Sequence, residues 1–173
     1  TVGGSIATNA GGIHVVRHGP TRAQLRGLEA VWGDGRVLDD VDRLEKDATG
    51  YDLSGLLCGS EGTLGIVTTA RLRLVPSRPH RVTVALGLAD LATAVVVAGR
   101  LRRSLPDLVA LEAYGAAEAD LVADHLGVGQ AHAPVPAVTL VVEVAAVVEP
   151  SGQVATALTA LGVHGMTVTE VKG

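Results

Sequence analysis

The chain has 173 residues, 47% of them hydrophobic, which is enough for a real core in one large domain or two small ones. A net charge of −4 without a Lys/Arg run argues against a nucleic-acid-binding face and against a membrane-surface protein. The single cysteine excludes an internal disulfide, and the most apolar stretch, "ATAVVVAG", is too short to span a bilayer. We therefore expect a cytoplasmic protein with neither nucleic acid nor a membrane as its partner.

The first half of the chain combines dense glycines with short predicted strands. The segment "LRGLEAVWGDGRVLD" predicts a β-hairpin, because Leu28 and Ala30 alternate with their neighbours in polarity and "GDG" supplies a turn. The segment "YDLSGLLCG" predicts a short helical turn that ends at Gly59. The segment "GTLGIVTTARLRLV" predicts a strand with Leu72 and Leu74 on its dry face.

The segment "VPSRPHR", residues 75 to 81, predicts a linker because two prolines and two arginines fall within seven residues. It divides the chain into expected domains at 1–76 and 77–173. After the linker the pattern alternates strand, helix, strand, helix, strand, helix, strand. Without the middle helix this is two βαβ units in series, the ferredoxin-like pattern, so the middle helix is predicted to be an insertion. The expected fold class is α+β.

Capping residues and apolar spacing predict the helices of the second half. Asp90 is the expected N-cap of the first helix. Its buried stripe is expected to contain Leu91, Val95, Ala98 and Leu101. Gly127 is the expected end of the middle helix, and residues 127 to 136 are predicted to form a loop. Ser151 is the expected N-cap of the last helix and Gly162 its end.

Several possible site motifs fail on their spacing. No glycine is followed by Lys and Ser/Thr, which a Walker loop requires, and "GVGQAH" begins like a dinucleotide-binding loop but has no strand before it. His14 and His18 have the spacing of a zinc motif, but Val15 stands where the glutamate belongs, so no metal site is expected. Cys58 is predicted to be a buried, inert thiol, and Glu61 is predicted to accept N–H groups of its own loop.

Two glycine-rich segments remain, "TVGGSIATNAGG" at 1–12 and "GSEGTLGIVTT" at 59–69. Composition alone makes each an ordinary turn, although backbone without side chains can approach a ligand closely. Together with "RHG" and "KDATGYDLSGLLCG", their order and spacing resemble the second half of the FAD-binding domain of the FAD-linked oxidases. These are the vanillyl-alcohol-oxidase/p-cresol-methylhydroxylase flavoproteins. The most similar branch is that of the D-2-hydroxyacid dehydrogenases, with D-lactate dehydrogenase, the glycolate oxidase FAD subunit and D-2-hydroxyglutarate dehydrogenase.

The resemblance implies FAD as the cofactor and assigns residues to its two sides. Gly65 to Val67 would meet either the isoalloxazine or the adenine end of FAD. The first segment departs from the family at Ser5, where Asn is common, and His18 stands where Tyr is common. The implied contact residues are Gly3, Gly4, Ser5, Thr8, Asn9, Gly11 and Gly12 on one side, and Gly59, Glu61, Gly62, Gly65, Ile66 and Val67 on the other.

The resemblance also implies a domain organisation and an activity. Residues 1–76 would be the C-terminal half of a PCMH-type FAD-binding domain, and residues 77–173 the first part of a ferredoxin-like substrate domain. The implied reaction is the FAD-dependent oxidation of a small-molecule D-2-hydroxyacid to the 2-oxoacid. The resemblance assigns no catalytic residue to this stretch, because the family's other glycine-rich loop lies upstream of it and its arginine and histidine motifs lie downstream.

We expect the 173-residue chain to be a central piece of such an enzyme, incomplete and inactive by itself. Exposed strand edges tend to pair, so a homo-oligomer or a missing complementary segment is the expected protein partner. One alternative is a flavin-binding module without activity of its own. Another is a relative of the flavin-dependent alkyl-glycerone-phosphate synthases, which keep "GSEGTLG" but tend to depart from "ATNAGG".

Overall fold

The computed structural model describes residues 1–44, 46–128, 136–162 and 167–169. Contacts between Cα atoms divide the chain into two compact units, Thr1–Pro76 and Ser77–Gly173. Each unit is described by itself. Their assignment to an FAD-binding half and a substrate domain stays a prediction.

The first unit is a three-stranded antiparallel sheet with short helices. The strand order is β2-β1-β3. The elements in chain order are α1 (Val2–Ala7), α2 (Val15–His18), α3 (Thr21–Gln24), β1 (Leu25–Trp32), β2 (Val37–Asp39), α4 (Leu53–Leu57) and β3 (Gly65–Leu72).

The predicted hairpin is confirmed as β1 and β2, with Ala30 opposite Leu38. The turn closes because Trp32 N–H donates to the Arg36 carbonyl and Gly35 adopts a φ of +84°. Alternation along β1 buries Leu28 and Ala30 on one face.

The core of the first unit is small. Its buried members are Ile6, Leu28, Ala30, Leu57 and Cys58, so α1 and α4 each cover the β1 surface with apolar side chains. The segment 1–12 therefore differs from the turn that composition favours. Residues 2–7 form a helix because the Thr1 side chain accepts the Gly4 N–H as an N-cap and Ile6 is buried in the core. The predicted dry position of Leu74 is also wrong, because β3 ends at Leu72 and Leu74 is 91% exposed.

The second unit is a four-stranded antiparallel sheet with the strand order β5-β6-β4-β7. Because β6 pairs antiparallel with both β4 and β5, and β4 pairs antiparallel with β7, the order is that of a ferredoxin-like fold. The predicted pattern is confirmed. The elements are β4 (His80–Leu88), α5 (Leu91–Ser104), β5 (Leu108–Gly115), α6 (Ala116–Leu126), β6 (Val138–Ala146), α7 (Ser151–Ala160) and β7 (Thr167–Thr169).

Alternate residues of the central strands build the core of the second unit. The buried strand residues include Val84 of β4 with Leu140 and Val142 of β6, and Leu101 and Leu158 are buried on α5 and α7. Helix α6 stands where a hairpin would join two neighbouring strands, as the predicted insertion requires, and it has no buried residue.

The helix boundaries confirm some predictions and correct others. Asp90 caps α5 by accepting the Thr93 N–H, and Gly127 ends α6 with a φ of +63°. Leu101 of α5 is buried as predicted. Leu91 and Val95 are 62% and 65% exposed, contrary to the prediction, and Ala94 is buried instead. The predicted loop at 127–136 falls mostly outside the described residues.

The predicted cap of α7 is also wrong. Pro150 is the N-cap of this helix, and Ser151 is its first residue, with its N–H donated to Glu149. Gly162 follows the end of the helix with a φ of +70°, as expected.

Candidate functional site

The first glycine-rich segment folds back on itself after α1. The Ala10 N–H donates to the Ser5 carbonyl at 2.8 Å, and the Asn9 N–H donates to the Ile6 carbonyl at 3.1 Å. The turn forces Asn9 to a φ of +48°, a left-handed conformation that asparagine tolerates better than most residues. Thr8 donates its hydroxyl to the Gly4 carbonyl at 2.9 Å. The segment is thus a helix followed by a tight, defined turn.

The second glycine-rich segment turns sharply after α4. Gly59, Glu61 and Gly62 have φ values of +87°, +53° and +80°. Glycine adopts such values without a steric penalty, whereas Glu61 is one of two described non-glycine residues with a positive φ. The other is Asn9, in the first segment. Both segments therefore carry unusual backbone.

The structure brings the two segments together through backbone hydrogen bonds. The Gly59 N–H donates to the Ile6 carbonyl at 3.0 Å, and the Glu61 N–H donates to the Ala7 carbonyl at 2.8 Å. A Cβ on Gly59 would lie 3.1 Å from Cβ of Asn9, so glycine permits this close approach. Residues separated by about fifty positions in sequence thus form one continuous surface, which we call the glycine platform: residues 3–12 and 59–67.

Arg22, which sequence reasoning missed, links the two halves of the glycine platform. Its backbone N–H donates to Oδ1 of Asn9 at 2.9 Å, and its guanidinium donates to the Cys58 carbonyl. Beside it, Thr21 donates its N–H and its hydroxyl to the Ala10 carbonyl at 3.1 and 2.9 Å. The only local signal is the "PTR" sequence that opens α3, and it does not reveal that a side chain reaches Cys58.

Cys58 directly precedes the second segment of the glycine platform and is fully buried. Burial is the main cause that raises the pKa of its thiol, although the charge of Arg22 opposes that shift. A thiol with a raised pKa is a poor nucleophile. The inert role predicted for Cys58 agrees with this geometry.

Most of the implied FAD contacts are exposed on the glycine platform. A Cβ on Gly3 or Gly12 would meet no atom within 4 Å. In the part of the chain that the structure describes, the N–H groups of Gly11, Gly12 and Gly62 have no hydrogen-bond partner. The exposed positions are Gly3, Gly4, Ser5, Thr8, Gly11, Gly12, Gly59, Glu61, Gly62 and Ile66, while Asn9, Gly65 and Val67 are half-buried.

Two of the implied contacts have a structural reason of their own. A Cβ on Gly65 would lie 2.7 Å from the Val31 carbonyl oxygen, so β1 packing requires glycine there. Val67 pairs with Ala30 and packs against the core. Ile66 differs, because its side chain is 64% exposed. The role of all thirteen residues toward a cofactor stays a prediction.

Two other features are absent from the described residues, a metal-ligand cluster and a membrane-spanning helix. Among them, no three His, Cys, Asp or Glu side chains are grouped closely enough to hold a metal ion. Within the same residues, no helix combines the length and the apolar character needed to cross a bilayer.

Comparison with known proteins tests the predicted resemblance to the FAD-linked oxidases. Residues 1–40 match the family model described as "FAD binding domain". The chain is 43% identical over 128 residues to the mitochondrial D-2-hydroxyglutarate dehydrogenase of Bos taurus, which covers 73% of this chain and 23% of that protein. The predicted relationship to the FAD-linked oxidases is confirmed. FAD is accordingly the cofactor indicated for this region.

A bacterial relative and solved structures extend the comparison. Identity to the D-2-hydroxyglutarate dehydrogenase of Xanthomonas citri pv. viticola is 44% over 105 residues, 61% of this chain and 22% of that protein. The chain thus spans less than a quarter of either relative. A solved alkyldihydroxyacetonephosphate synthase superposes with a TM-score of 0.71 at 19% identity, over 99% of this chain and 33% of that one. This match confirms the mixed α and β fold class.

Proposed function

We propose that the chain is the flavin-contacting part of an FAD-dependent oxidoreductase that oxidises a D-2-hydroxyacid to the 2-oxoacid. Among the three dehydrogenase types that the sequence suggests, the 2-hydroxyglutarate type is favoured, because both relatives described above carry that name. The observation that carries the proposal is the glycine platform, where the two family segments are hydrogen-bonded to each other through Gly59 and Glu61.

The glycine platform has the properties that a flavin site requires. Gly3 and Gly12 leave open space beside the backbone, so a flat cofactor can approach closely. The N–H groups of Gly11, Gly12 and Gly62 point to no described acceptor, and such groups donate well to phosphate or flavin carbonyl oxygens. The residues therefore fit FAD by shape and by hydrogen-bonding capacity.

When bound, FAD supplies the two-electron acceptor that the oxidation of a hydroxyl-bearing carbon needs. The chain's own contribution is to bind and to orient it. Asn9 and Arg22 hold the two halves of the glycine platform at a fixed separation, and preorganised donors cost little reorganisation when a ligand binds. We assign no acid or base to the described residues.

A flavin-retention experiment tests the proposal. The purified chain is mixed with FAD and desalted, and its visible absorption is recorded for the native sequence, Gly12→Val and Gly33→Val. Neither added side chain would meet protein atoms at its Cβ, and neither glycine has a positive φ, so both variants should fold. We expect Gly12→Val to lose the flavin band and Gly33→Val to keep it.

Equal retention by the two variants would contradict a cofactor surface at residue 12. Loss of the band in all three proteins would show that this stretch needs a complementary segment to hold FAD. The part of a dehydrogenase relative that lies outside its match to this chain should then be added as a second polypeptide. The comparison of the three proteins is then repeated.

Turnover separates the remaining alternatives. We expect D-2-hydroxyglutarate to be oxidised faster than D-lactate or glycolate, measured with a dye acceptor, once the complementary segments are present. Flavin retention without turnover would favour an inactive flavin-binding module. The alkyl-glycerone-phosphate synthase alternative has the weaker support, since identity to the solved synthases is 18–19% against 43–44% for the dehydrogenases.

We further propose a cytoplasmic location and a homo-oligomer or a complementary segment as the protein partner. The support is the composition of the chain and the open strand edges at β2 and β3 of the first sheet. Size-exclusion chromatography with light scattering tests the oligomer, and a strictly monomeric species would count against it.

A further inference from the structure

The second segment of the glycine platform follows a very short helix. Helix α4 ends at Leu57, just before the segment, and β3 begins within the segment at Gly65. The helix has five residues, and a helix of this length has little stability of its own in water. Contacts from other parts of the chain must therefore hold α4, and with it Gly59, in place.

Arg43 makes one such contact at the start of α4. Its Nη1 lies 2.7 Å from Oδ1 of Asp52, which is the N-cap of this helix. The same Asp52 oxygen accepts the Gly55 N–H at 2.9 Å, so the ion pair and the helix cap share one atom. The guanidinium of Arg43 is thus attached to the first turn of α4.

Asp40, which follows β2, adds a second link to the same turn. Its Oδ2 lies 3.2 Å from Nη1 of Arg43 and accepts the hydroxyl of the buried Ser54 at 2.6 Å. The side chains of Arg43 and Asp40 are 21% and 26% exposed, so salt screens this ion pair less than one on the open surface. Both carboxylates that neutralise Arg43 therefore also bind the first turn of α4.

The backbone of Arg43 is attached to the strand on the other side of the segment. Arg71 of β3 donates from its Nη2 to the Arg43 carbonyl. Arg43 thus contacts both elements that flank the second segment, α4 through its side chain and β3 through its carbonyl. These two contacts limit how far the two ends of the segment can move apart.

We propose that Arg43 is a positioning residue for the proposed flavin surface. It holds α4 relative to β3 so that the N–H groups of Gly59 and Glu61 reach the Ile6 and Ala7 carbonyls, at 3.0 and 2.8 Å. Those two hydrogen bonds join the halves of the glycine platform, and preorganised donors cost little reorganisation when a ligand binds. This role of Arg43 rests on the proposed function, although its effect on the two hydrogen bonds can be measured without FAD.

Amide hydrogen exchange of the whole chain, followed by NMR without FAD, measures that effect. Arg43→Gln removes both ion pairs, and we expect the Gly59 and Glu61 amides to exchange about tenfold faster in this variant, because hydrogen bonds to charged groups are strong. The Trp32 N–H, which closes the β1–β2 hairpin, should exchange at its native rate. Arg43→Lys keeps the charge and should restore most of the protection.

Arg36→Gln is the matched control in the same unit. Arg36 pairs with Asp34 in the β1–β2 turn, where the distance from Nε to Oδ2 is 2.7 Å and the Arg36 side chain is 80% exposed. The variant removes the same charge and one ion pair. Exchange of the Gly59 and Glu61 amides should stay at the native rate.

Arg71→Gln tests the contact from β3. It removes the donor to the Arg43 carbonyl, so the Gly59 and Glu61 amides should again exchange faster. Combined with Arg43→Gln, the acceleration should be smaller than the product of the two single effects, because residues of one network are coupled.

Flavin binding then separates positioning from general stability. The complementary polypeptide is included if the native chain alone retains no FAD. We expect Arg43→Gln to bind FAD about tenfold more weakly and to change the visible circular dichroism of the bound flavin at saturation, because misplaced contacts alter its geometry. Arg43→Lys and Arg36→Gln should remain close to the native protein in both measurements.

Three results would overturn the proposal. The first is native exchange of the Gly59 and Glu61 amides in Arg43→Gln. The second is an equal acceleration at Trp32 in both Arg43 variants, since Arg43 would then serve only general stability. The third is native FAD affinity and a native flavin spectrum in Arg43→Gln. If the native protein binds no FAD under any of these conditions, the proposed function fails, and the exchange rates alone decide whether Arg43 holds the segment.

Discussion

The two units of the molecule are stabilised in different ways. The first has five buried residues in its core and holds its exposed, glycine-lined surface in shape by hydrogen bonds between distant backbone segments. The second has a larger buried set, with alternate residues buried along β4 and apolar residues of β6, α5 and α7 buried as well. The comparison shows that apolar burial is the main stabilising interaction of the second unit. In the first unit, hydrogen bonds between distant backbone segments hold the predicted cofactor contacts in place.

The largest expected effect tests the apolar side of this comparison. Leu140→Ala removes a buried side chain from the central strand β6 of the second unit and should lower the free energy of unfolding of that unit by about 2–5 kcal/mol. Leu121→Ala is the control, because Leu121 is 71% exposed on α6. Urea denaturation measures both. If Leu140→Ala lowers the free energy of unfolding no more than Leu121→Ala does, β6 does not anchor the core.

The next effect tests backbone packing in the first unit. A Cβ on Gly27 would lie 2.3 Å from the Asp40 carbonyl oxygen and 2.6 Å from that of Val41, and neither atom can move without shifting the chain. Gly27→Ala should therefore cost about 1–3 kcal/mol of stability. Gly33→Ala, with open space at its Cβ, should cost far less. Equal urea denaturation midpoints for Gly27→Ala and Gly33→Ala would contradict the close approach of Gly27 to the carbonyl oxygens of Asp40 and Val41.

A smaller effect concerns the polar links of the glycine platform. Asn9→Ala removes the acceptor of the Arg22 N–H and places alanine at a positive φ, so it should cost about 1–2 kcal/mol. Asn9→Gly removes the same acceptor but tolerates the φ, so its cost should be lower. Flavin retention should fall in both variants. Retention equal to the native chain would show that Arg22 needs no such anchor.

The smallest effect is a pH dependence of the first unit. The Gly55 N–H, followed by the Arg43 ion pair, holds the pKa of Asp52 below its usual range. A carboxyl with a depressed pKa in the folded state adds stability above its unfolded pKa of about 4, and that stability is lost as pH falls through the folded value. Asp52→Asn should therefore make the stability of the first unit depend less on pH in the acid range.

Thermal unfolding between neutral and acid pH measures this difference. Asp47→Asn is a suitable comparison, since the Asp47 pKa is also lowered, mainly by the Thr49 N–H, but the group does not cap a helix. If both variants reduce the loss of stability at acid pH equally, the helix cap that Asp52 forms at α4 makes no particular contribution to the pH dependence.

Sequence reasoning predicted the elements where local signals and tertiary packing agree. The β1–β2 hairpin follows from alternation and a glycine turn, and the sheet order of the second unit follows from its sequence of strands and helices. The α5 stripe was predicted correctly at Leu101 and wrongly at Leu91 and Val95, because the spacing of apolar residues fits more than one face of a helix and tertiary packing decides which face is buried. Ala94 lies at the face that packs, while Val95 does not.

The candidate site was predictable in part. The two glycine segments could be paired by their order and spacing. The helix at residues 2–7 could not be predicted from the local sequence, because its stability depends on burying Ile6 against a strand that follows it in the chain. Arg22 was missed for a similar reason. Its partners, Asn9 and the Cys58 carbonyl, lie on opposite sides of it in the chain, and only the folded structure brings the three together.

The strand order of the second unit has a consequence for biosynthesis. Strand β4 is made first in this unit and ends in the middle of the sheet, but its long partner β6 starts only at Val138, after α5, β5 and α6. During translation the edge of β4 that pairs with β6 must therefore stay unpaired until about fifty further residues have been added. Such a delay favours slow, non-local folding and leaves an unpaired strand edge on the nascent chain.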